Sequence, residues 1–173
     1  MNERDFGPVA EARELMAEDT ALQPFQIAAL MLGDEQEAVS LVEEVVAKVE
    51  ADPCADGTLA YAEARTLLGA MYWSGEGVPR DHKEAARLYL LAANQGYARA
   101  QNDIGFMLGF EGPPPHDDVE AYKWLTLAIE RYTARNQDRL EQAKKDKASL
   151  AARMTPAQIA EAERRAKAWK PGP

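Results

Sequence analysis

The chain has 173 residues, 46% of them apolar, with 29 acidic against 20 basic side chains, a net charge of −9, one cysteine and two histidines. A charge of that sign argues against a general grip on phosphate backbones, and a single thiol closes no internal disulfide. No basic stretch leads into an apolar core of the secretory kind, and the longest apolar runs, Ile27–Leu32 and Leu88–Ala93, fall far short of the roughly 20 residues that cross a bilayer. The composition reads as a cytoplasmic protein of one domain or two small ones, with no nucleic-acid or membrane partner.

In chain order, residues 1–24 combine Glu, Asp and Ala with few large apolar groups and predict a loose helix or tail. Phe25–Leu32 and Ala38–Val49 are helical in pattern, broken at Gly33-Asp34, with Glu37 completing a capping signal. Residues 1–57 are thus expected to form an acidic helical segment, a hairpin. Ala28, Leu32 and Gly33 lie 36 residues before Ala64, Leu68 and Gly69, so the hairpin is either a worn repeat or a separate module. The stretch Leu32-Gly33-Asp34, Ala38 and Leu41-Val42-Glu43-Glu44-Val45 is similar to the core-binding helices of small alternative sigma factors. That resemblance implies a transcription-regulatory protein docking on RNA polymerase or an anti-sigma protein; an acidic amphipathic hairpin without that role is the plainer reading. Asp52-Pro53-Cys54-Ala55-Asp56-Gly57 is a turn-rich linker.

Residues 58–135 repeat themselves. Shifting residues 61–96 by 36 places gives 11 identities in 36 positions, among them Tyr61/Tyr97, Gly69/Gly105, Met71/Met107, Asp81/Asp117, Glu84/Glu120 and Ala92/Ala128. That is well above the roughly 6–8% expected from average composition. In the first copy Ala62, Ala64, Leu68, Gly69 and Met71 fall at the spacing of a helix whose backbone lies close to a neighbour. Gly75-Glu76-Gly77-Val78-Pro79 breaks it. Asp81 and Glu84, repeated as Asp117 and Glu120, start a second helix. Its buried stripe is Ala85, Leu88, Tyr89 and Ala92, matched by Ala121, Trp124, Leu125 and Ala128.

These residues resemble the Sel-1-like repeat, the helix-pair relative of the tetratricopeptide repeat. The motif runs from Ala62 through Leu68-Gly69, Met71-Tyr72, Gly75, Gly77, Pro79, Asp81 and Glu84-Ala85 to Tyr89, Ala92-Ala93 and Gly96. Residues 98–131 resemble a second copy that departs at its loop, where Glu111 and Pro113 replace the two glycines, so that the loop must follow another path. The resemblance covers about residues 60–170 and implies an all-α, right-handed solenoid of helix-turn-helix repeats with a 36-residue period and helical N- and C-terminal caps. Short arrays need such ends covered. Residues 136–170 supply C-terminal capping helices: one from Ala134 to Met154, then Thr155-Pro156-x-Gln158 as a capping box. A last helix carries Ile159, Ala162, Ala166 and the anchor Trp169.

No catalytic, cofactor or metal constellation emerges. His82 and His116 flank the two repeat loops without metal-binding partners, and Cys54 has no second thiol. Gly75-x-Gly77 lacks the Lys-Ser/Thr ending of a phosphate loop. The chain is expected not to be an enzyme; proteins resembling this family have been credited with hydrolase activity, but those are cysteine-rich secreted arrays. The resemblance implies instead a module or scaffold that holds a partner protein or peptide in the solenoid groove. The groove-facing offsets of the tetratricopeptide relative fall on Glu63, Thr66, Ala70, Trp73 and Ser74 in the first copy, and on Arg99, Asn102, Phe106, Gly109 and Phe110 in the second. Trp73, Phe106 and Phe110 are either anchors for a partner or are covered by the flanking helices.

Charge divides by segment. Residues 1–57 carry −11, residues 58–135 carry −2 and residues 136–173 carry +4. The acidic and basic ends either attract one another within a molecule or pair head to tail between molecules, the second giving a salt-sensitive self-association.

Overall fold

The computed structural model describes residues 59–75, 78–112 and 116–172. The N-terminal hairpin, its sigma-like stretch and the linker with Cys54 lie outside the described residues. Among the described residues there are six α-helices: α1 (Leu59–Ser74), α2 (His82–Asn94), α3 (Ala98–Phe106), α4 (Asp118–Arg131), α5 (Gln137–Ala151) and α6 (Pro156–Ala168). A π-helical turn (Met107–Glu111) prolongs α3, and a 3-10 turn (Ala134–Asn136) precedes α5. No strand occurs among the described residues. The chain divides into two compact units at Leu88/Tyr89, within α2.

In the first unit α1 buries Ala62, Leu67, Leu68 and Met71, and α2 buries Ala85 and Leu88. Met71 and Val78 form a small cluster with Tyr72 against it. The second unit is organised by α4, which touches α3, α5 and α6. Its core joins Ala121, Tyr122 and Leu125 of α4 to Ala143 and Leu150 of α5, Met154, and Ala162 of α6. Each fully buried leucine contributes about 1.5–3 kcal/mol.

The two copies close their loops with the same hydrogen bonds, 36 residues apart. Asp81 N–H donates to the Tyr72 carbonyl at 2.9 Å, and Asp117 N–H to the Leu108 carbonyl at 3.2 Å. Each Asp then caps the next helix: Asp81 Oδ1 accepts from the Lys83 and Glu84 amides at 2.9 and 3.1 Å, and Asp117 Oδ1 from the Glu120 amide at 2.9 Å. The acidic side chain satisfies N–H groups that the first turn leaves unpaired.

The approach to that bond differs, as the missing glycines require. In the first copy Gly75 takes φ +79° and its N–H reaches the Met71 carbonyl at 2.7 Å, ending α1. The equivalent residue in the second copy is Glu111, for which a left-handed backbone is costly. The helix instead widens, and Gly112 N–H bonds the Met107 carbonyl five residues back at 2.6 Å. A Cβ at Gly112 would sit 2.5 Å from that carbonyl oxygen, so glycine is required there by space and not by φ.

At the C-terminal side, the helix expected from Ala134 begins only at Gln137, after the 3-10 turn. The capping box forms: Gln158 N–H donates to Thr155 Oγ1 and Thr155 N–H to Gln158 Oε1, with Pro156 in the first turn. Ala162 and Ala166 are buried. Trp169 meets the Trp124 ring edge-on at 6.2 Å and lies under the Arg131 guanidinium at 4.6 Å. Gly172 N–H returns to the Asn94 carbonyl at 2.9 Å, fixing the tail beside the end of α2.

Candidate partner-binding face

The groove offsets fall in both units, and each set stands by itself. In the first unit Thr66 is fully buried and its hydroxyl donates to the Ala62 carbonyl at 2.7 Å, so it offers nothing to a surface. Glu63, Ala70, Trp73 and Ser74 are half-buried. Trp73 already has an aromatic partner, since its ring stacks on His82 with centroids 4.2 Å apart and planes at 26°.

In the second unit Arg99, Asn102, Phe106 and Phe110 follow one another at three or four residues, the spacing of one helix face. All four are half-buried. Phe106 and Phe110 stack at 5.3 Å and 28° across the π-helical turn. Phe110 also packs against the Leu125–Leu150 core and lies under Arg153, whose guanidinium carbon is 5.1 Å from the ring centroid. Arg153 reaches across the fold in other ways too. It pairs with both oxygens of Asp118 at 2.6 and 2.9 Å and donates to the Gly109 carbonyl. Gly109 itself is buried, with Leu150 and Ala121 where a Cβ would project. The C-terminal helices therefore occupy the Gly109–Phe110 end of the face, while Arg99, Asn102 and Phe106 continue it along α3.

The polar part of the face surrounds Asp103, which sequence patterning did not mark. Its carboxylate stands 3.7 Å from Arg99 Nε and accepts an Asn102 amide N–H at 3.4 Å. Burial pushes this carboxyl above the usual aspartate range, against the opposing pull of Arg99, Asn102 and Arg139. Burial raises the neighbouring phenols as well, with Asp103 adding to the effect: Tyr132 to about 12, and Tyr89 further. Arg139 also lines a pocket of about 240 Å³ with Ala134, Asn136, Gln137 and Asp138. Asn102 Oδ1, Arg99 Nε and the Tyr132 hydroxyl are shielded from solvent without a hydrogen-bond partner in the structure.

A raised carboxyl means that Asp103 ionises less readily in the folded chain than in the unfolded one. The penalty for ionising it is absent well below the ordinary aspartate value and appears as pH rises through the raised one. Asp103→Asn is therefore expected to raise the melting temperature at neutral pH, with the difference from wild type shrinking towards pH 4. Thermal melts at both pH values check this; a variant less stable at pH 7 would show that the arginine attraction outweighs burial.

His82 stacks on Trp73, and the exposed His116 lies with Nδ1 3.3 Å from the Leu108 carbonyl. Among the described residues no three His, Cys, Asp or Glu side chains converge as metal ligands, and no helix is long and apolar enough to cross a membrane.

Comparison with known proteins agrees with this architecture. The Sel1 repeat family matches residues 62–97 and 98–132. Among solved structures, a protective antigen present in uropathogenic Escherichia coli strains, displaying an SLR fold, superposes with a TM-score of 0.70 at 24% identity, over 97% of this chain and 33% of that one. A Sel1 repeat protein from Oxalobacter formigenes gives 0.51 at 22% identity, over 95% of this chain and 59% of that one. The chain thus spans a third and about three fifths of their lengths, and at these identities the likeness speaks to fold alone. The repeated loop bonds, the paired Asp caps and the family match agree: residues 62–97 and 98–132 are two Sel1 repeats, and the described residues form helices and connecting turns in a helix-pair solenoid fold.

Proposed function

We propose that the chain is a non-catalytic protein-interaction module, binding a partner protein or peptide along the first-helix faces of its repeats, with α3 as the principal recognition surface. Repeats of this fold are generally used as protein–protein interaction modules. The observation that carries the reading is the single stripe Arg99, Asn102, Phe106, in which a charge, a two-sided amide and an aromatic ring share one half-buried face. The Phe106 ring offers apolar area that is already held in place by Phe110. Asn102 is half-buried on the same face, and its amide carries both a donor and an acceptor, the pair that a peptide backbone needs. Arg99 adds charge selection at the far end of the stripe. Binding energy in such interfaces concentrates in a few large side chains, buried aromatics and arginines above all.

The test is affinity capture from native lysate with wild type, Phe106→Ala and Asn102→Ala, each checked for helicity by circular dichroism. A partner retained by wild type should be lost by Phe106→Ala with affinity reduced roughly tenfold or more, about 1.4 kcal/mol. Asn102→Ala serves as the second variant should the phenylalanine change disturb the fold. Equal retention by folded forms of all three proteins would overturn α3 as the recognition surface.

A further inference from the structure

Asp103 follows Asn102 on α3 and touches both polar members of the recognition stripe. Its Oδ2 is 3.7 Å from Arg99 Nε one turn earlier, and its Oδ1 accepts the Asn102 amide N–H at 3.4 Å. We infer that Asp103 is the positioning residue of the α3 face: it holds Arg99 and Asn102 in presentation and, by gaining or losing a proton, sets the charge that the face offers to a partner. The functional meaning rests on the proposed role of α3; the coupling among the three side chains rests on their geometry.

The groups that bear on this carboxylate come from every element around it in its unit. Arg99 and Asn102 belong to α3, Tyr89 to α2, Tyr132 follows α4, and Arg139 belongs to α5. A guanidinium does not lose its proton in proteins, and both phenols stay neutral because burial raises them. Asp103 is therefore the member of this set that changes charge between neutral and acid pH. Its side chain keeps 21% of its surface open to solvent, so protons reach it without unfolding.

With Asp103 ionised, the two arginines and the carboxylate leave one net positive charge, and Arg99 is tethered. With Asp103 protonated the net charge is two and Arg99 is released from its pair. The direction follows from elementary electrostatics: in acid the face becomes a stronger receptor for a partner segment bearing carboxylates, and at neutral pH it discriminates less in their favour. In the same sense, Asp103→Asn fixes the face in its acid-like charge state at all pH values.

The experiment needs no partner. Isotope-labelled full-length protein is titrated from pH 7.5 to 3.5 while the Asp103 carboxyl carbon, the Arg99 Nε–H and the Asn102 side-chain amide are followed by NMR. The expected result is an Asp103 midpoint above the ordinary aspartate value of about 3.9, with the Arg99 and Asn102 signals moving at that same midpoint. In Asp103→Asn both signals should start near their acid positions and lose this transition, while the rest of the spectrum stays dispersed. Arg99 and Asn102 signals that stay flat through the Asp103 transition, or that keep it in Asp103→Asn, would overturn the inference. That outcome would leave capture through Phe106 and Asn102 untouched; conversely, failed capture leaves the titration as it stands, so the two readings fail separately.

Discussion

Leu150→Ala is expected to destabilise the chain by about 2–5 kcal/mol, and adding Gly109→Ala to it is expected to recover part of that loss. Leu150 is fully exposed to core packing and none of it to solvent, so truncation removes its burial and leaves a cavity. The cavity has a defined wall: a Cβ built on Gly109 would lie 3.0 Å from Leu150 Cδ2 and 3.2 Å from Ala121 Cβ. In the wild-type background Gly109→Ala must push Leu150 aside and should destabilise. With Leu150 already shortened, the same methyl projects into vacated space. Urea unfolding of the four proteins gives the coupling directly, and a favourable interaction of about 1 kcal/mol is expected. Strictly additive losses would mean that α5 does not seat on the π-helical turn. The consequence reaches the recognition surface, because the contact that Leu150 makes at Gly109 holds α5 over the Phe110 end of the stripe.

Gly105→Val is expected to cost about 3 kcal/mol, at the upper end of the range for overpacked cores. At Gly105 α3 comes close to α4: an added Cβ would stand 3.0 Å from Leu125 Cγ and 3.2 Å from the Ala121 carbonyl oxygen. Leu125 is fully buried and cannot swing away, and the carbonyl is helix backbone. Removing a helical glycine would by itself favour α3 by up to about 1 kcal/mol, so any net loss reports steric conflict. For a chain of this length, 3 kcal/mol corresponds to a fall in melting temperature of roughly 6–12 °C. An unchanged melting temperature would show that the helices are not in backbone contact there. Since α3 carries Arg99, Asn102 and Phe106, moving it away from α4 should weaken partner capture as well as stability.

Together with the capture, thermal and titration experiments, these substitutions separate the frame from the face. Gly105, Gly109 and Leu150 set where α3 lies; Phe106, Asn102 and Arg99 are what it presents; Asp103 couples the last two.

Much of the frame was legible in the sequence because it is encoded over short distances. The 36-residue shift, the Asp81 and Asp117 starts and the Thr155–Gln158 box depend on side chains bonding backbone within three residues, so residue type and spacing suffice. Trp169 was legible too, as a large aromatic closing an apolar stripe. The missing loop glycines announced a different path after α3, since Glu111 replaces a residue that takes φ +79° in the first copy. What replaces the turn, a widened helix ending at Gly112, depends on a close approach to the Met107 carbonyl that arises only in the folded backbone.

The state of the face belongs to tertiary structure. Thr66 and Phe106 occupy groove offsets of the same kind, yet one is wholly buried and the other half-open, because burial depends on what packs above each helix and not on its own periodicity. Arg153 lies 35 residues from Asp118 and 44 from Gly109 in sequence, and no local pattern joins them. Asp103 looks like an ordinary helical carboxylate until Tyr89, Tyr132 and Arg139 converge on it from three other parts of the chain. Sequence alone determined the repeat, its helix starts and its aromatic and polar inventory, since these are properties of neighbours along the chain. Tertiary packing decided which members of that inventory remain available and how they are charged, since desolvation and charge pairing are summed over neighbours in space.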